Sequence, residues 1–349
     1  MIAPTIRGVG MYVPERVMTN ADLERLVDTS DEWIASRTGI RARRIAADDE
    51  TSSSMGVRAA RCAIENAGLT PDDIDLVIVG TATPDYPFPA TACLVQDALG
   101  IRGGAFDVEA GCTSFMYALS AASSFVTSGM HSNVLVVGSE VLSRILDWTD
   151  RSTCVLFGDG AGAVVVSAGE HASFAPQFIL GSDGSGGPSL CVPAGGSARP
   201  ASDQTVADRM HFVKMAGPEV FRFATRVVEE STGQVLEKAG LTPGDIDLFI
   251  PHQANVRIID HAVKRLHIPP DRVFLNIDRY GNTSSASIPI ALFEAQQQGR
   301  LRPGDTIVTV GFGAGLTWGA GAIQWMANIA SETESDVITD SELVSATGI

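Results

Sequence analysis

Cys112 stands between a short apolar strand, Phe106 to Val108, and the helix-like run TSFMYALSAASSFV. A thiol placed there lies at a helix N-terminus, where free backbone N–H groups and the macrodipole favour the thiolate. Ala110 and Gly111 permit a tight strand-to-helix turn and close approach of a reacting group, so Cys112 is a candidate nucleophile. By residue type alone it fits a small buried hydrophobe equally well, and Cys62, Cys93, Cys154 and Cys191 are read in that way. His252 follows the strand-like DIDLFI as Pro251-His252-Gln253-Ala254-Asn255, at the carboxyl end of a strand, where α/β sheets place ligands. His131, His171, His211, His261 and His267 stand in polar or helical contexts and are read as surface residues. Asn282 opens another expected helix, where it is either a polar partner of the thiol or a plain N-cap.

An internal repeat is what places these residues together. Residues 67–78 read AGLTPDDIDLVI and residues 239–250 read AGLTPGDIDLFI, ten of twelve positions agreeing at an offset of 172. Each copy has a helix-ending glycine, a proline turn and a short apolar strand. The repeat continues in Gly111-Cys112-Thr113-Ser114 against Gly281-Asn282-Thr283-Ser284, at an offset of 170. The strands Val134–Gly138 and Thr306–Gly311 correspond, and the small-residue strands 161–166 and 320–323 close the two halves. A period near half the chain is too long for a solenoid and implies duplicated domains related by a pseudo-twofold. Strand runs alternate with helical segments such as Ser53–Ala67 and Pro218–Ala239, which indicates an α/β fold with sheets buried on both faces. Residues 1–170 are read as the half with the nucleophile, 171–327 as the half with His252 and Asn282, and 328–349 as a solvated acidic tail. Two equivalent turns facing each other across the pseudo-twofold bring Cys112 and Asn282 into one pocket, with His252 beside them. The Gly/Ser/Pro-rich loop 181–196 is of the kind that covers a site.

Composition narrows the partners. With 25 Lys+Arg against 41 Asp+Glu the formal charge is −16, which disfavours nucleic acid and anionic membrane. An acidic partner needs a local basic patch. Five scattered cysteines without a CxxC pair favour neither a disulfide framework nor a zinc site and fit a reducing compartment. With no signal-peptide pattern and no apolar stretch of about 18 residues, the chain is read as soluble and cytoplasmic.

Over residues 1 to about 326 the sequence resembles the β-ketoacyl-[acyl carrier protein] synthase III family of the thiolase superfamily. The resemblance rests on TNADLERLVDTSDEWIASRTGIRARRIA, AFDVEAGCTSF, LFGDGAGA, PHQANVRI, YGNTSSAS and GFGAGLTWG. It implies a five-layered αβαβα thiolase fold made of two duplicated halves, a homodimer, and a Cys112-His252-Asn282 triad. Asn282 in the GNTS motif favours the chain-initiating branch over elongating relatives with Cys-His-His, and no cysteine of the thiolase kind lies in GFGAGLTWG. The implied reaction is condensation of an acyl-CoA primer with malonyl-acyl carrier protein, coenzyme A thioester being substrate and no metal or redox cofactor being needed. Trp33, Arg37 and Arg151 look like the holders of the coenzyme A nucleotide, an indole and two guanidinium groups suiting a base and phosphates. Phe88 resembles a dimer-contributed residue of the acyl pocket, to which Phe312 is also assigned, and the backbone N–H groups of Cys112 and Ala314 the oxyanion hole. Where the family often has three glycines after Phe312, this chain has Gly313-Ala314-Gly315.

Carrier proteins are acidic, and Arg222, Arg226, Arg257, Lys264 and Arg265 fall at helical spacings in MAGPEVFRFATR and NVRIIDHAVKR, as a docking patch would. An ordinary solvated helix face is the alternative. The nearest rival function is a related ketosynthase or acyltransferase priming a polyketide or another secondary metabolite. A Cys-His hydrolase is disfavoured because Asn282 duplicates the Cys112 turn, and an inactive partner subunit because all three residues are present.

Overall fold

The twin AGLTP segments fold alike down to individual hydrogen bonds in the computed structural model, which describes residues 3–169 and 174–327. Each preceding helix ends on a glycine in the left-handed region, Gly68 at φ 64° and Gly240 at φ 69°, where a Cβ is penalised. In the turn that follows, Thr70 N–H donates to Asp73 Oδ2 at 2.8 Å and Thr242 N–H donates to Asp245 Oδ2 at 2.8 Å. Asp75 and Asp247 then fix the neighbouring strands identically, accepting from Asn133 N–H at 3.0 Å and Thr306 N–H at 2.8 Å.

Nine strands form two large sheets among the described residues. They are β1 (Ala3–Tyr12), β2 (Leu76–Gly80), β3 (Gly104–Val108), β4 (Asn133–Glu140), β5 (Gly160–Gly169), β6 (Gln177–Ser182), β7 (Leu248–Pro251), β8 (Thr306–Gly313) and β9 (Thr317–Gln324). The first sheet runs β1-β5-β4-β2-β3 and the second β6-β9-β8-β7, so the second repeats the first without its edge strand. β2 lies parallel to β4 as β7 lies parallel to β8, and β5 and β9 pair antiparallel with those neighbours.

Seven helices matter for the site: α1 (Asp31–Thr38), α2 (Ser52–Asn66), α3 (Thr91–Leu99), α4 (Ser114–Thr127), α5 (Gly217–Ala239), α6 (Val256–Leu266) and α7 (Ser287–Gln297). Alternate residues of each strand face opposite sides. Val77, Val79, Leu135 and Val137 pack on Ala59 and Ala63 of α2 and Val95 of α3. Ile78 and Val136 point the other way, onto Phe115 and Leu119 of α4 and Leu292 of α7, which also meet Ile250 and Ile307 of the second sheet. Phe249, Val308 and Val310 face Phe223 and Val227 of α5 and Ile258 of α6. The order α2/α3, sheet, α4/α7, sheet, α5/α6 is the expected αβαβα arrangement. Burying a Phe or Leu contributes about 1.5–3 kcal/mol, so the shared α4/α7 layer locks the sheets to each other.

Helix starts expected at Ser53 and Pro218 lie one residue earlier, at Ser52 and Gly217. The segment expected as loop at 181–196 is more ordered than its composition suggests, holding a 3-10 helix over Gly184–Ser189 and a short strand, Leu190–Cys191, paired with Lys214–Met215. His171, the junction of the two halves at 170/171 and the acidic tail 328–349 lie outside the described residues.

Candidate active site

Cys112 sits where two cavities meet. One, of about 450 Å³, is lined by Leu142, Ile145, Phe157, Leu190, Val192 and Val213 and is mainly apolar; the 181–196 segment supplies part of its wall. The other, narrower at about 90 Å³, carries His252, Asn282, Phe312 and Phe221. A thiol at such a junction can accept a group from one side and present it to another arriving from the other.

The turn holding Cys112 packs against the turn after β8. A Cβ added at Gly313 would come within 2.5 Å of Cys112 N, and one added at Gly111 within 2.8 Å of Ala314 N. Thr113 Oγ1 reaches Thr317 Oγ1 at 2.8 Å, tying the two turns together. Neither the Cys112 nor the Ala314 N–H donates to a protein acceptor among the described residues. Both stand free beside the thiol, and the Ala314 methyl is accommodated on the cavity wall.

The thiol itself departs from expectation. Thr113 is the N-cap of α4 and Ser114 its first residue, so Cys112 lies just outside the helix. Burial pushes the Cys112 thiol up to about 12, and the nearby Ser284 hydroxyl only partly opposes this. Desolvation therefore outweighs the helix terminus in the resting site, and the thiol needs a proton acceptor or substrate-induced help to ionise.

His252 follows β7, its N–H donating to Val310 O at 2.8 Å. Its ring packs edge-on to Phe312 with centroids 5.4 Å apart, and Nδ1 lies 2.6 Å from Ser287 Oγ. Burial pulls the His252 imidazole down to about 3, so it is neutral at physiological pH. Ser287 Oγ accepts from Gln253 N–H at 3.4 Å and carries a proton that it can donate to His252 Nδ1. With Ser287 donating, the ring proton is on Nε2, a buried atom without a partner among the described residues.

Asn282 is held through its backbone by the LFGDG segment, Asn282 N–H donating to Leu156 O at 2.9 Å and Gly158 N–H to Asn282 O at 3.0 Å. Its Oδ1 accepts from Ser284 N–H at 2.8 Å. Asn282 is not the N-cap of the turn that follows, a place taken by Thr283, and its Nδ2 remains an available donor on the narrow cavity. A 3-10 turn, Ser284–Ala286, separates Asn282 from α7, so the likeness to the Cys112 turn is not complete.

The other expected site residues divide. Trp33, Arg37 and Arg151 come together, with Arg37 Cζ 5.7 Å and Arg151 Cζ 5.0 Å from the Trp33 ring, and Trp33 packs in a cluster with Leu156, which also lines the narrow cavity. Phe312 lines the narrow cavity beside His252, not the wide apolar one, and Phe88, 85% exposed, lines neither in its own chain. Arg257 stacks on Phe221 at 5.5 Å, at the wall of the narrow cavity. Arg222, Arg226 and Lys264 are exposed, whereas Arg265 is paired with Glu229 at 3.1 Å. Cys191, read as a buried hydrophobe, is half-buried on the wide cavity's wall. Of the histidines read as surface, His211 instead meets Thr205 Oγ1 at 2.9 Å and His131 packs on Phe125. Ser284 and Ser287 were missed, since small hydroxyls after Asn282 give no sign of which distant residue they meet.

Comparison with known proteins agrees with this geometry. Residues 106–184 match the family described as 3-Oxoacyl-[acyl-carrier-protein (ACP)] synthase III, and residues 236–325 match its C-terminal counterpart. The chain is similar to a beta-ketoacyl-[acyl-carrier-protein] synthase III of Symbiobacterium thermophilum, 58% identical over 92% of this chain and 97% of that protein. The crystal structure of 3-oxoacyl-[acyl-carrier-protein] synthase III from Aquifex aeolicus superimposes with a TM-score of 0.85 at 48% identity, covering 92% of this chain and 100% of that one. A priming β-ketosynthase of the R1128 polyketide pathway superimposes with a TM-score of 0.86 at 40% identity, over 93% and 97% of the two chains.

Proposed function

The chain belongs to the β-ketoacyl-[acyl-carrier-protein] synthase III family, and from that membership we propose how it starts a fatty acid chain. It is a carbon–carbon bond-forming acyltransferase that condenses an acyl primer from coenzyme A with malonyl-acyl carrier protein. The observation that carries this reading is the place of Cys112 at the junction of an apolar cavity and a narrow cavity bearing His252 and Asn282.

In the first half-reaction the Cys112 thiolate attacks the thioester carbonyl, and the N–H groups of Cys112 and Ala314 hold the tetrahedral oxyanion. Coenzyme A leaves, and the acyl chain stays in the apolar cavity. In the second, malonyl loses CO2 and its thioester oxygen becomes an enolate oxygen, accepting from His252 Nε2–H and Asn282 Nδ2–H. A neutral His252 suits this role, because a protonated one would bind the ground-state carboxylate as well as the enolate. Each donor to such an oxygen is worth about 2.7–4 kcal/mol. The enolate carbon then attacks the acyl-Cys112 carbonyl and releases the thiolate, giving β-ketoacyl-acyl carrier protein. Loss of CO2 supplies the carbanion, so the chemistry calls for no metal or redox group.

Trp33, Arg37 and Arg151 are assigned to the coenzyme A nucleotide, Phe88 to the acyl pocket of a partner subunit in a homodimer, and Arg222, Arg257 and Lys264 to the carrier protein. The 85% exposure of a phenylalanine side chain supports the dimer. Cytoplasmic location is supported by five free cysteines, and among the described residues no helix is long and apolar enough to cross a membrane. Incubation with an acyl-CoA and malonyl-acyl carrier protein should give β-ketoacyl-acyl carrier protein and CO2 by mass spectrometry; acyl transfer without CO2 release would contradict the reading.

A further inference from the structure

The mechanism above leaves a buried polar circuit behind His252 and Asn282 without a role. Glu294, on α7, accepts from Arg279 Nη1 and Nη2 at 2.7 and 2.8 Å, from Tyr280 Oη at 2.7 Å and from Asn276 Nδ2 at 2.8 Å. These three donors stand in the stretch that runs into Gly281 and Asn282, so Glu294 grips the chain directly ahead of Asn282. A second clamp holds the chain at His252. Gln253 donates from Nε2 to Pro251 O at 2.7 Å and to Phe274 O at 3.3 Å, and its Oε1 accepts from Asn276 N–H at 3.1 Å. Asn276 joins the clamps, its backbone held by Gln253 and its side chain by Glu294. Helix α7 closes the circuit, because Ser287, two turns before Glu294 on the same face, meets His252 Nδ1 at 2.6 Å. Gln253, Asn276, Tyr280 and Glu294 are all buried. The Arg279 side chain is 45% exposed, so solvent screens its ion pair and the pairing adds little to stability. What its two parallel bonds supply is direction.

We propose that Gln253 and Glu294 are positioning residues for the decarboxylating half-reaction, fixing the separation and aim of His252 Nε2 and Asn282 Nδ2. The proposal rests on the reading of those two atoms as paired donors to the enolate oxygen. Two donors that converge on one oxygen must be held in register with each other. Yet their backbone anchors differ: His252 N–H is tied to Val310 O on β8, whereas Asn282 is tied to Leu156 and Gly158 in the other half of the chain. The circuit through Gln253, Asn276, Glu294 and Ser287 links the two within one half. Neither Gln253 nor Glu294 lines the wide or the narrow cavity, so each acts through the residues it holds. Displacing a group at the reacting centre by about 1 Å can cost about 10²-fold in rate. Removing one member of a fully satisfied buried network also leaves its partners without bonds, which invites such a displacement. Cys112 lies outside the circuit, its turn being tied to the turn after β8 through Thr113 and Thr317. Acylation of the thiol therefore does not depend on these clamps.

The test measures the two half-reactions separately in the full-length enzyme: single-turnover acylation of Cys112 by an acyl-CoA, read by intact mass, and CO2 release from malonyl-acyl carrier protein by enzyme acylated beforehand. Glu294→Gln keeps the shape of the side chain and turns one acceptor into a donor facing Arg279 and Asn276. Gln253→Met keeps the length and removes three hydrogen bonds. Each should slow CO2 release at saturating malonyl-acyl carrier protein by about 10²-fold, with the half-saturating concentration and the acylation rate unchanged. Because the clamps share Asn276, the double variant should be little slower than the worse single one. Tyr280→Phe removes one of four donors to Glu294 and spares the ion pair; it should show the same selectivity with a loss of about three- to tenfold, and it carries the test at that clamp if Glu294→Gln does not fold. Wild-type CO2 release in the folded variants, losses that fall equally on acylation, or a double variant whose loss is the product of the single losses would overturn the proposal. If His252→Ala and Asn282→Ala themselves release CO2 at the wild-type rate, it is the paired-donor reading that fails.

Discussion

His252 and Cys112 meet burial with opposite consequences. Desolvation keeps the imidazole neutral and the thiol protonated, so the first is ready as an N–H donor while the second must still lose its proton. His252→Ala and Asn282→Ala should therefore reduce malonyl decarboxylation by about 10²-fold or more and leave acylation of Cys112 close to the wild type, as read by single-turnover mass measurements on each half-reaction. Equal loss of both steps would contradict the division of labour. The same burial gives a pH signature. Between pH 6.5 and about 3 the unfolded chain binds a proton that folded His252 refuses. Stability from this group is thus complete above that window and is lost as pH falls through it, by up to about 1.4 kcal/mol per pH unit. Glu140 and Asp159, raised by burial, act in the opposite direction, because their folded forms take up protons first as pH falls. Denaturant melts of the wild type and His252→Asn separate the effects: the variant should lose less stability than the wild type on going from pH 7 to 4.5.

At the scale of the element, the catalytic turns depend on contact between strand ends far apart in the chain. Gly313 ends β8 against the backbone of Cys112, so Gly313→Ala places a methyl group 2.5 Å from the Cys112 N–H. Such overpacking costs about 1–3 kcal/mol, and spreading the two N–H groups proposed to form the oxyanion hole should slow acylation on the order of 10²-fold. Gly240→Ala offers the contrast, since its Cβ meets nothing within 4 Å and only its φ of 69° is violated. It should cost about 1–2 kcal/mol of stability with kcat unchanged in the folded enzyme. Much of this was legible in the sequence. The AGLTP echo announced the duplicated sheets, and matching glycine turns announced that Cys112 and Asn282 would share a pocket. What escaped was set by packing across the layers: the desolvation of Cys112, the partner of Ser287, and the turn of Phe312 toward His252, none of which has a local spacing to mark it. The ordered stretch at Gly184–Ser189 escaped for a related reason, because glycine-rich composition gives no sign of a helix held in place by what it covers.

For the molecule as a whole, the problem is to bring an acidic carrier protein to a chain of formal charge −16. Long-range repulsion must be offset where the narrow cavity opens, and Arg257 beside Phe221, with Lys264 about two turns further along α6, is suited to this. Lys264→Glu and Arg257→Glu should raise the KM for malonyl-acyl carrier protein and flatten its dependence on salt, while acylation by acyl-CoA changes little. Lys264 is the cleaner test, since Arg257 also stacks on an aromatic ring. Equal damage to both half-reactions would assign the patch to coenzyme A or to the fold. The claim on which everything else depends is that one thiol of five carries the acyl group between the two cavities. Incubation with a labelled acyl-CoA, proteolysis and peptide mapping tests it most directly: the label should sit on Cys112 alone and disappear when malonyl-acyl carrier protein is added, whereas label on Cys93, Cys154 or Cys191, or label on Cys112 that malonyl-acyl carrier protein does not discharge, would contradict the account.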